Sequence, residues 1–233
     1  MLDRTKKAFS WSWSRLKNYR ACPKRHWEVD IRKNFKEVES DALKWGNQFH
    51  DLMAKRVAEG TALPASASPH DKWPRIMHEL RDLGVEVSVE LEYAMDANFQ
   101  PCGWRDWNTA WFRAKVDALA VDGDARYAVA FDWKTGAKIE PEYEQLELTA
   151  QMLFVHHPKL QVVHTAYYWS QHTTETMSAG RYDDMIKTWA KLMPEIKAME
   201  EAHRTTTYPP KPSGLCVRYC PVTSCPYHGR GSR

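Results

Sequence analysis

The chain has 233 residues, enough for one good-sized domain or for one domain with a small attachment. Hydrophobic residues make up 43% and charged residues 27%, the balance of a soluble globular protein, and no run approaches the roughly 20 apolar residues of a membrane-spanning helix. The net charge of +3 eases the approach of an anionic partner without proving one, and 11 Trp, 10 Tyr and 7 Phe exclude a disordered chain.

The start, Met1 to Trp13, is basic and aromatic with no apolar core segment, so no secretory leader is expected. Ser12 and Ser14 are candidate N-caps for a first helix through Leu16 to about Ala21, which Cys22-Pro23 ends. A second helix is expected from about Asp41 to Ala58, because Leu43, Trp45, Phe49, Leu52, Met53 and Val57 recur at helical spacing. Glu59 to Pro74 carries Gly, Pro, Ser and Ala and reads as a loop or linker. Val85, Val87, Val89, Leu91 and Tyr93 alternate as in a half-buried strand. Thr109 to Val121 is a second strand, Asp122-Gly123-Asp124 a hairpin turn, and Tyr127 to Thr135 a third strand. A helix follows from Pro141 or Glu142 to about His156, then a strand from Val162 to Ser170. A last long helix spans Asp183 to His203, with Pro194 able to kink or divide it, and a Pro- and Cys-rich tail begins at Thr205. This order predicts an α/β or α+β domain with one mixed sheet.

On a strand, residues two apart share a face, so Asp132 and Lys134 project together. Asp117 lies one hairpin away and can sit beside them. Two carboxylates and an ammonium on one patch are costly unless something uses them. A divalent cation relieves the repulsion between Asp117 and Asp132, and carboxylate oxygens suit Mg²⁺ or Mn²⁺. Such an ion can polarise a phosphodiester and activate a water, with Lys134 holding that water or the charge on phosphate oxygens. The pattern alone is weak: an acidic residue two before a Lys occurs again at Glu195-Ile196-Lys197, which reads as a solvated helix face.

An ordered set of motifs, from about Ser12 to Cys225, resembles the RecB-like branch of the PD-(D/E)XK nucleases. Gly46 to His50 resembles the first motif, a helix carrying a His near the metal. Glu90, in Val89-Glu90-Leu91-Glu92-Tyr93, resembles the acidic second motif, with Glu92 able to take its role. Lys115-Val116-Asp117 is similar to a Gly-Lys-Ile-Asp strand, with Ala114 at the Gly position, and Phe131 to Gly136 to the catalytic strand. Gln145 to Thr149 is similar to the following helix motif, with Thr149 at the usual Tyr. The resemblance implies the α/β form, a restriction-endonuclease-like core of about 40–204 whose mixed sheet is flanked by helices, within a single nuclease domain of 1–233. It implies a metal-dependent DNA nuclease with His50, Asp117, Asp132 and the Trp133 carbonyl as ligands and Lys134 positioning the attacking water. Glu90 would sit at the edge of the site, holding a metal-bound water or a second ion, and Gln145 would support Lys134 or contact the substrate.

Five Cys with no export signal suggest a metal site or free thiols rather than a disulfide framework. Cys216, Cys220, Cys225 and His228 crowd a short Pro-punctuated tail, and Cys22 is a candidate fourth thiolate, whereas Cys102 reads as a lone thiol. Cys22, Cys216, Cys220 and Cys225 could hold a [4Fe–4S] cluster that ties the two ends of the domain together. Alternatively, Cys216, Cys220, Cys225 and His228 could hold a structural Zn²⁺. One Cys before the core and three after it resembles AddB and the CRISPR-associated adaptation nuclease, although their tail spacing is closer to two and then five residues, against three and then four here.

Trp13, Arg15, Lys17 and Tyr19 interleave aromatic and basic side chains that could stack bases and track phosphates, or pack as ordinary core and surface. Trp104, Trp107 and Trp111 read as packing residues or a strand edge beside the cleft. The favoured function is a stand-alone, cytoplasmic DNA exonuclease acting on single strands or free ends in replication, recombination or repair, with a recombination or replication protein as a possible partner and no membrane. The motif set is also similar to nucleases carried by bacteriophages, so the cell would be bacterial or phage-infected. The competing readings are an inactive nuclease-like module that grips DNA or protein, and a DNA endonuclease.

Overall fold

Ser12 and Ser40 are each followed by helical sequence, and each accepts a backbone N–H of the turn it begins. These caps are seen in a computed structural model that describes residues 8–36 and 40–230. Met1 to Lys7, part of the start on which the expectation of no leader rests, lies outside the described residues. Among the described residues, no helix is long and apolar enough to cross a membrane. The chain divides into two compact units, one of Ser40–Trp189 and one of Met1–Glu39 with Ala190–Arg233.

In the larger unit, α3 (Asp41–Glu59) buries Phe49, Met53 and Val57 at four-residue spacing and stops at Gly60, whose φ of +71° is left-handed. α4 (Lys72–Asp82) begins inside the stretch expected to be a loop. The expectation fails because Pro74 sits in a first helical turn, where a missing N–H costs nothing. Six strands follow: β1 (Glu86–Met95), β2 (Pro101–Cys102), β3 (Phe112–Val121), β4 (Tyr127–Lys134), β5 (Val162–Trp169) and β6 (Thr174–Arg181), with α5 (Tyr143–His156) between β4 and β5. They form one mixed sheet in the order β2-β1-β3-β4-β5-β6, in which only β4 and β5 are parallel. β6 was not expected, since its Thr-Glu-Thr-Met-Ser-Ala-Gly run is that of a polar edge strand.

Phe49, Met53 and Val57 of α3 and Met77 of α4 pack on one face of the sheet, with Phe131 and Trp133. Ala150, Leu153 and Phe154 of α5 cover the other, over Ala128, Ala130 and Val163. β1 does not present one face throughout, as its alternation suggested. Val87 and Val89 pack on the α3 side, whereas Leu91 and Tyr93 pack on the α5 side. Odd positions of a regular strand share a face, so the pleat reverses at Glu90, a non-glycine residue with a left-handed φ of +51°. β3 reverses at the same level: Val116 lies on the α5 side, then Ala118 and Ala120 on the α3 side and Leu119 and Val121 on the α5 side. The change falls at Asp117, opposite Glu90 in a register that skips both residues.

In the smaller unit, α1 (Trp13–Ala21) ends at Cys22, and Pro23 opens α2 (Pro23–His26), which runs on into a π-turn at Trp27–Ile31. α6 (Met185–Thr205) starts in the larger unit, after a 3₁₀ turn at Tyr182–Asp184, and continues through Pro194 without dividing. Tyr19 donates to the Ala198 carbonyl of α6, Arg20 pairs with Glu195 through both carboxylate oxygens, and Trp27 stacks on Tyr208 at 4.6 Å. α7 (Leu215–Arg218) lies in the tail.

Candidate active site

β3 and β4 pair only from Val121–Ala128 to Ala118–Phe131. One step further, the Asp117 carboxylate replaces the ladder by accepting the Trp133 backbone N–H at 2.7 Å. The two strands therefore fork where Asp117 and Asp132 leave them. Asp117 is fixed by a backbone donor, and the Trp133 ring is anchored in the core, stacked on Phe131.

α3 reaches the fork from one side. Gly46 lets it come close: a Cβ there would lie 3.1 Å from the Thr135 hydroxyl at the end of β4. One turn on, His50 Nδ1 is 3.3 Å from Asp117 Oδ2. The pleat reversal sets Glu90 beside them, so that donor atoms of His50, Glu90 and Asp117 all lie within 4.8 Å of one another. Holding Glu90 in the left-handed region costs on the order of 1–3 kcal/mol, which the surrounding sheet must offset. Glu92 instead pairs with Lys115 at 2.9 Å.

Asp132 is held differently. Lys134 Nζ lies 2.9 Å from one of its oxygens and 3.0 Å from the other, and Gln145 Nε2 donates to it at 2.6 Å. The Gln145 oxygen accepts from Lys134 at 3.3 Å and from the Tyr167 hydroxyl at 2.9 Å, while that hydroxyl also reaches the Glu142 carbonyl. Lys134 Nζ sits 4.6 Å from the centre of the Tyr167 ring. Sequence reasoning missed Tyr167, which lies opposite Asp132 in the parallel β4–β5 register. Its signal was a Tyr-rich strand that had to be aligned with β4 before it could be read.

The titrations follow from crowding. Burial pushes Asp132 up to about 6, with Lys134 opposing and Asp117 adding to the rise. Burial and the Asp117 charge raise Glu90 as well. Burial opposes a charge on His50, but its bond to Asp117 and the charges of Asp117, Asp132 and Glu90 outweigh that and raise it. Burial and the charges of Asp132 and Glu142 raise the Tyr167 hydroxyl, which stays a donor. Three carboxylates face one ammonium and one imidazole. Such a donor set of carboxylate oxygens and an imidazole fits a hard divalent cation.

In the smaller unit, Cys22, Cys216, Cys220, Cys225 and His228 line one small cavity. The backbone N–H groups of Lys211 and Ser213 point at the sulfurs of Cys22 and Cys216, at 3.3 and 3.5 Å. Burial raises the Cys220 thiol, and Cys216 and Cys22 add to the rise. Among the described residues, no three of these donors come within 4.8 Å of one another. Cys102 lies apart on the edge strand β2. Of the interleaved α1 residues, Tyr19 is tied to α6, the Arg15 guanidinium donates to the Ser10 carbonyl, Trp13 carries Arg20 over its ring at 5.1 Å, and Lys17 is exposed.

A family model described as the PD-(D/E)XK nuclease superfamily matches residues 10–226. No curated protein matches the chain. Among solved structures, a proposed exonuclease from Eubacterium rectale is 11% identical over 98% of this chain and 90% of that one, with a TM-score of 0.52, a likeness of fold. SSO0001 is 12% identical over 94% of this chain and 86% of its own, with a TM-score of 0.43. LHK-Exo, solved in complex with dAMP, is 14% identical over 87% and 90%, with a TM-score of 0.37.

Proposed function

The chain belongs to the PD-(D/E)XK nuclease superfamily, and on that footing we propose that it is a metal-dependent DNA exonuclease of the RecB-like branch, acting on free ends in replication, recombination or repair. The observation that carries this reading is the gathering of His50, Glu90 and Asp117 donor atoms within 4.8 Å of one another, beside an Asp132–Lys134 pair. His50, Asp117, Asp132 and the Trp133 carbonyl would hold Mg²⁺ or Mn²⁺, and Glu90, read from the sequence as an edge residue, joins that donor set. The ion supplies positive charge to the scissile phosphate and lowers the pKa of a water.

The chain's own groups do the rest. Lys134 would orient the attacking water and offset charge on the phosphate oxygens as the new P–O bond forms and the ester P–O bond breaks, with the water's proton passing to solvent and the leaving oxygen taking one from it. Gln145 and Tyr167 are positioning residues. The Gln145 amide bridges Asp132 and Lys134, and the Tyr167 hydroxyl fixes which way that amide faces.

The cysteine cavity supports a second assignment, a structural [4Fe–4S] cluster on Cys22, Cys216, Cys220 and Cys225. Cys216, Cys220, Cys225 and His228 line the same cavity, so a structural Zn²⁺ on those four is the alternative. Cys22 belongs to the cluster set alone, and it lines this cavity with a backbone N–H aimed at its sulfur, as suits a thiolate ligand. We read 1–233 as one nuclease domain that this staple completes, working in the reducing cytoplasm where thiolates persist. On α1, the exposed Lys17 supports a phosphate contact alongside Trp13, Arg15 and Tyr19.

The test compares end-labelled linear DNA with closed circular DNA in Mg²⁺, Mn²⁺ or EDTA, using wild type and Lys134→Ala. Loss of linear DNA alone, blocked by EDTA and by the substitution, is the expected result. Cutting of the closed circle would make the protein an endonuclease. A folded, metal-loaded sample that cuts neither would be a binding module.

A further inference from the structure

The segment between β2 and β3 is a tryptophan-bearing loop with a built interior. Asp106 accepts the Gly103 N–H, and Arg113 ties the loop down by donating to the carbonyls of Trp104 at 2.9 Å and Ala110 at 3.3 Å. Trp111 is buried, as a packing residue should be. Trp107 is 65% exposed. The Arg113 guanidinium lies 4.8 Å from its ring centre, on one face, so the exposure belongs to the other. Trp104, half-buried, has Arg113 at 5.9 Å and Lys115 at 5.7 Å from its ring centre.

This row of rings and cations leads to the fork. Lys115 stands two residues before Asp117 on β3, and its register partner Glu92 stands two after Glu90 on β1. Two strand residues span about 7 Å, roughly one nucleotide step. Lys115 is more than half exposed, and its charge acts on Glu90. An indole held on a buried cation, with its outer face in water, presents a fixed π-face that a base can stack on.

Resting on the nuclease reading above, we propose that Trp107 and Trp104 stack the unpaired bases next to the scissile phosphate while Lys115 holds an adjacent phosphate, so that the substrate end is single-stranded where it enters the site. Stacking tolerates any base, because every base has a π-face. The cations behind the indoles keep the rings fixed in the unbound protein, so little ordering is left for binding.

The experiment titrates a labelled oligothymidylate of about 15 nucleotides, within the range such sites span, by fluorescence anisotropy with the full-length protein and no added divalent cation. Trp107→Ala should weaken binding about tenfold, the low end of one lost stack, and Trp107→Phe should restore most of it. The same strand with abasic sites should bind wild type more weakly by a similar factor, and Trp107→Ala should then cause little further loss. Wild-type affinity in Trp107→Ala, from a sample with the wild-type melting temperature, would overturn the stacking proposal and leave the nuclease reading standing. An equal loss on normal and abasic strands would overturn it too, since the effect would not run through the bases. Wild type that neither binds nor cuts DNA would overturn the nuclease reading itself.

Discussion

Glu90, Asp117 and His50 come from two strands and a helix far apart in the chain, and they meet only because two strands reverse their pleat at one level. Cys216, Cys220, Cys225 and His228 come from one short tail, and their cavity takes Cys22, Lys24 and Arg25 from the N-terminal segment. The first set is positioned by a finished hydrophobic sheet and holds a left-handed residue. The second is positioned by local turns of the tail. The carboxylate site thus draws on fold stability, whereas the cysteine set is placed to add to it when metal-bound.

The largest way to break this comparison is Asp117→Ala. It removes a donor that also satisfies the Trp133 N–H, so cleavage should fall by about a thousandfold or more. The stranded donor should also cost about 1–3 kcal/mol of stability, to be read from urea unfolding beside single-turnover cleavage. Next is Cys220→Ser, where the order inverts. Stability should fall by several kcal/mol, on the order expected when a structural metal centre is lost, while cleavage per folded molecule falls far less. Calorimetry with iron and zinc analysis measures it, and an unchanged melting temperature would sink the staple.

Glu90→Gly sharpens the contrast with an effect of opposite sign. A glycine accepts φ near +51° without strain, so stability should rise by about 1 kcal/mol while metal-dependent cleavage drops. Lower stability in this variant would show that the left-handed backbone is not a stored cost.

The smallest effect lies away from both sites. Burial, together with His157, lowers His156, and burial lowers His157, which accepts from or donates to Tyr93 at 2.9 Å. Because the folded values lie below the ordinary 6.5, the unfolded chain takes up protons first as pH falls. This contribution is therefore intact above pH 6.5 and is lost below it. His157→Gln should make the acid-side decline shallower by less than about 1 kcal/mol, as read by urea midpoints across that range. A slope identical to wild type would remove His157 from the account.

Much of the site was legible because its chemistry is carried by residue types that alternation and turns place. Asp132 and Lys134 on one strand, with Asp117 a hairpin away, needed only the two-residue period. The cap at Ser12, the stop at Cys22 and the helix from Tyr143 to His156 follow local rules, and the structure keeps them. The pleat reversal was not legible, since a left-handed φ at a glutamate leaves no mark in composition, and Glu90 was therefore read as an edge residue. Tyr167 stayed hidden for another reason. Its role depends on the parallel register of β4 and β5, a long-range pairing that neither strand announces. Whether Trp107 packs or lies at a strand edge beside the cleft stayed open, because an exposed indole and a buried one look alike in a sequence.

The bond from the Trp133 amide to the Asp117 carboxylate has a further consequence. A peptide proton held by a carboxylate oxygen, instead of by a neighbouring carbonyl, carries a chemical shift that follows what binds that carboxylate. The core wraps Trp133, so its proton is also shielded from exchange with solvent. In a spectrum of the ¹⁵N-labelled protein, this one backbone resonance would move when a cation is added at the fork and stay still when binding occurs elsewhere. The fold thereby supplies its own internal indicator of occupancy.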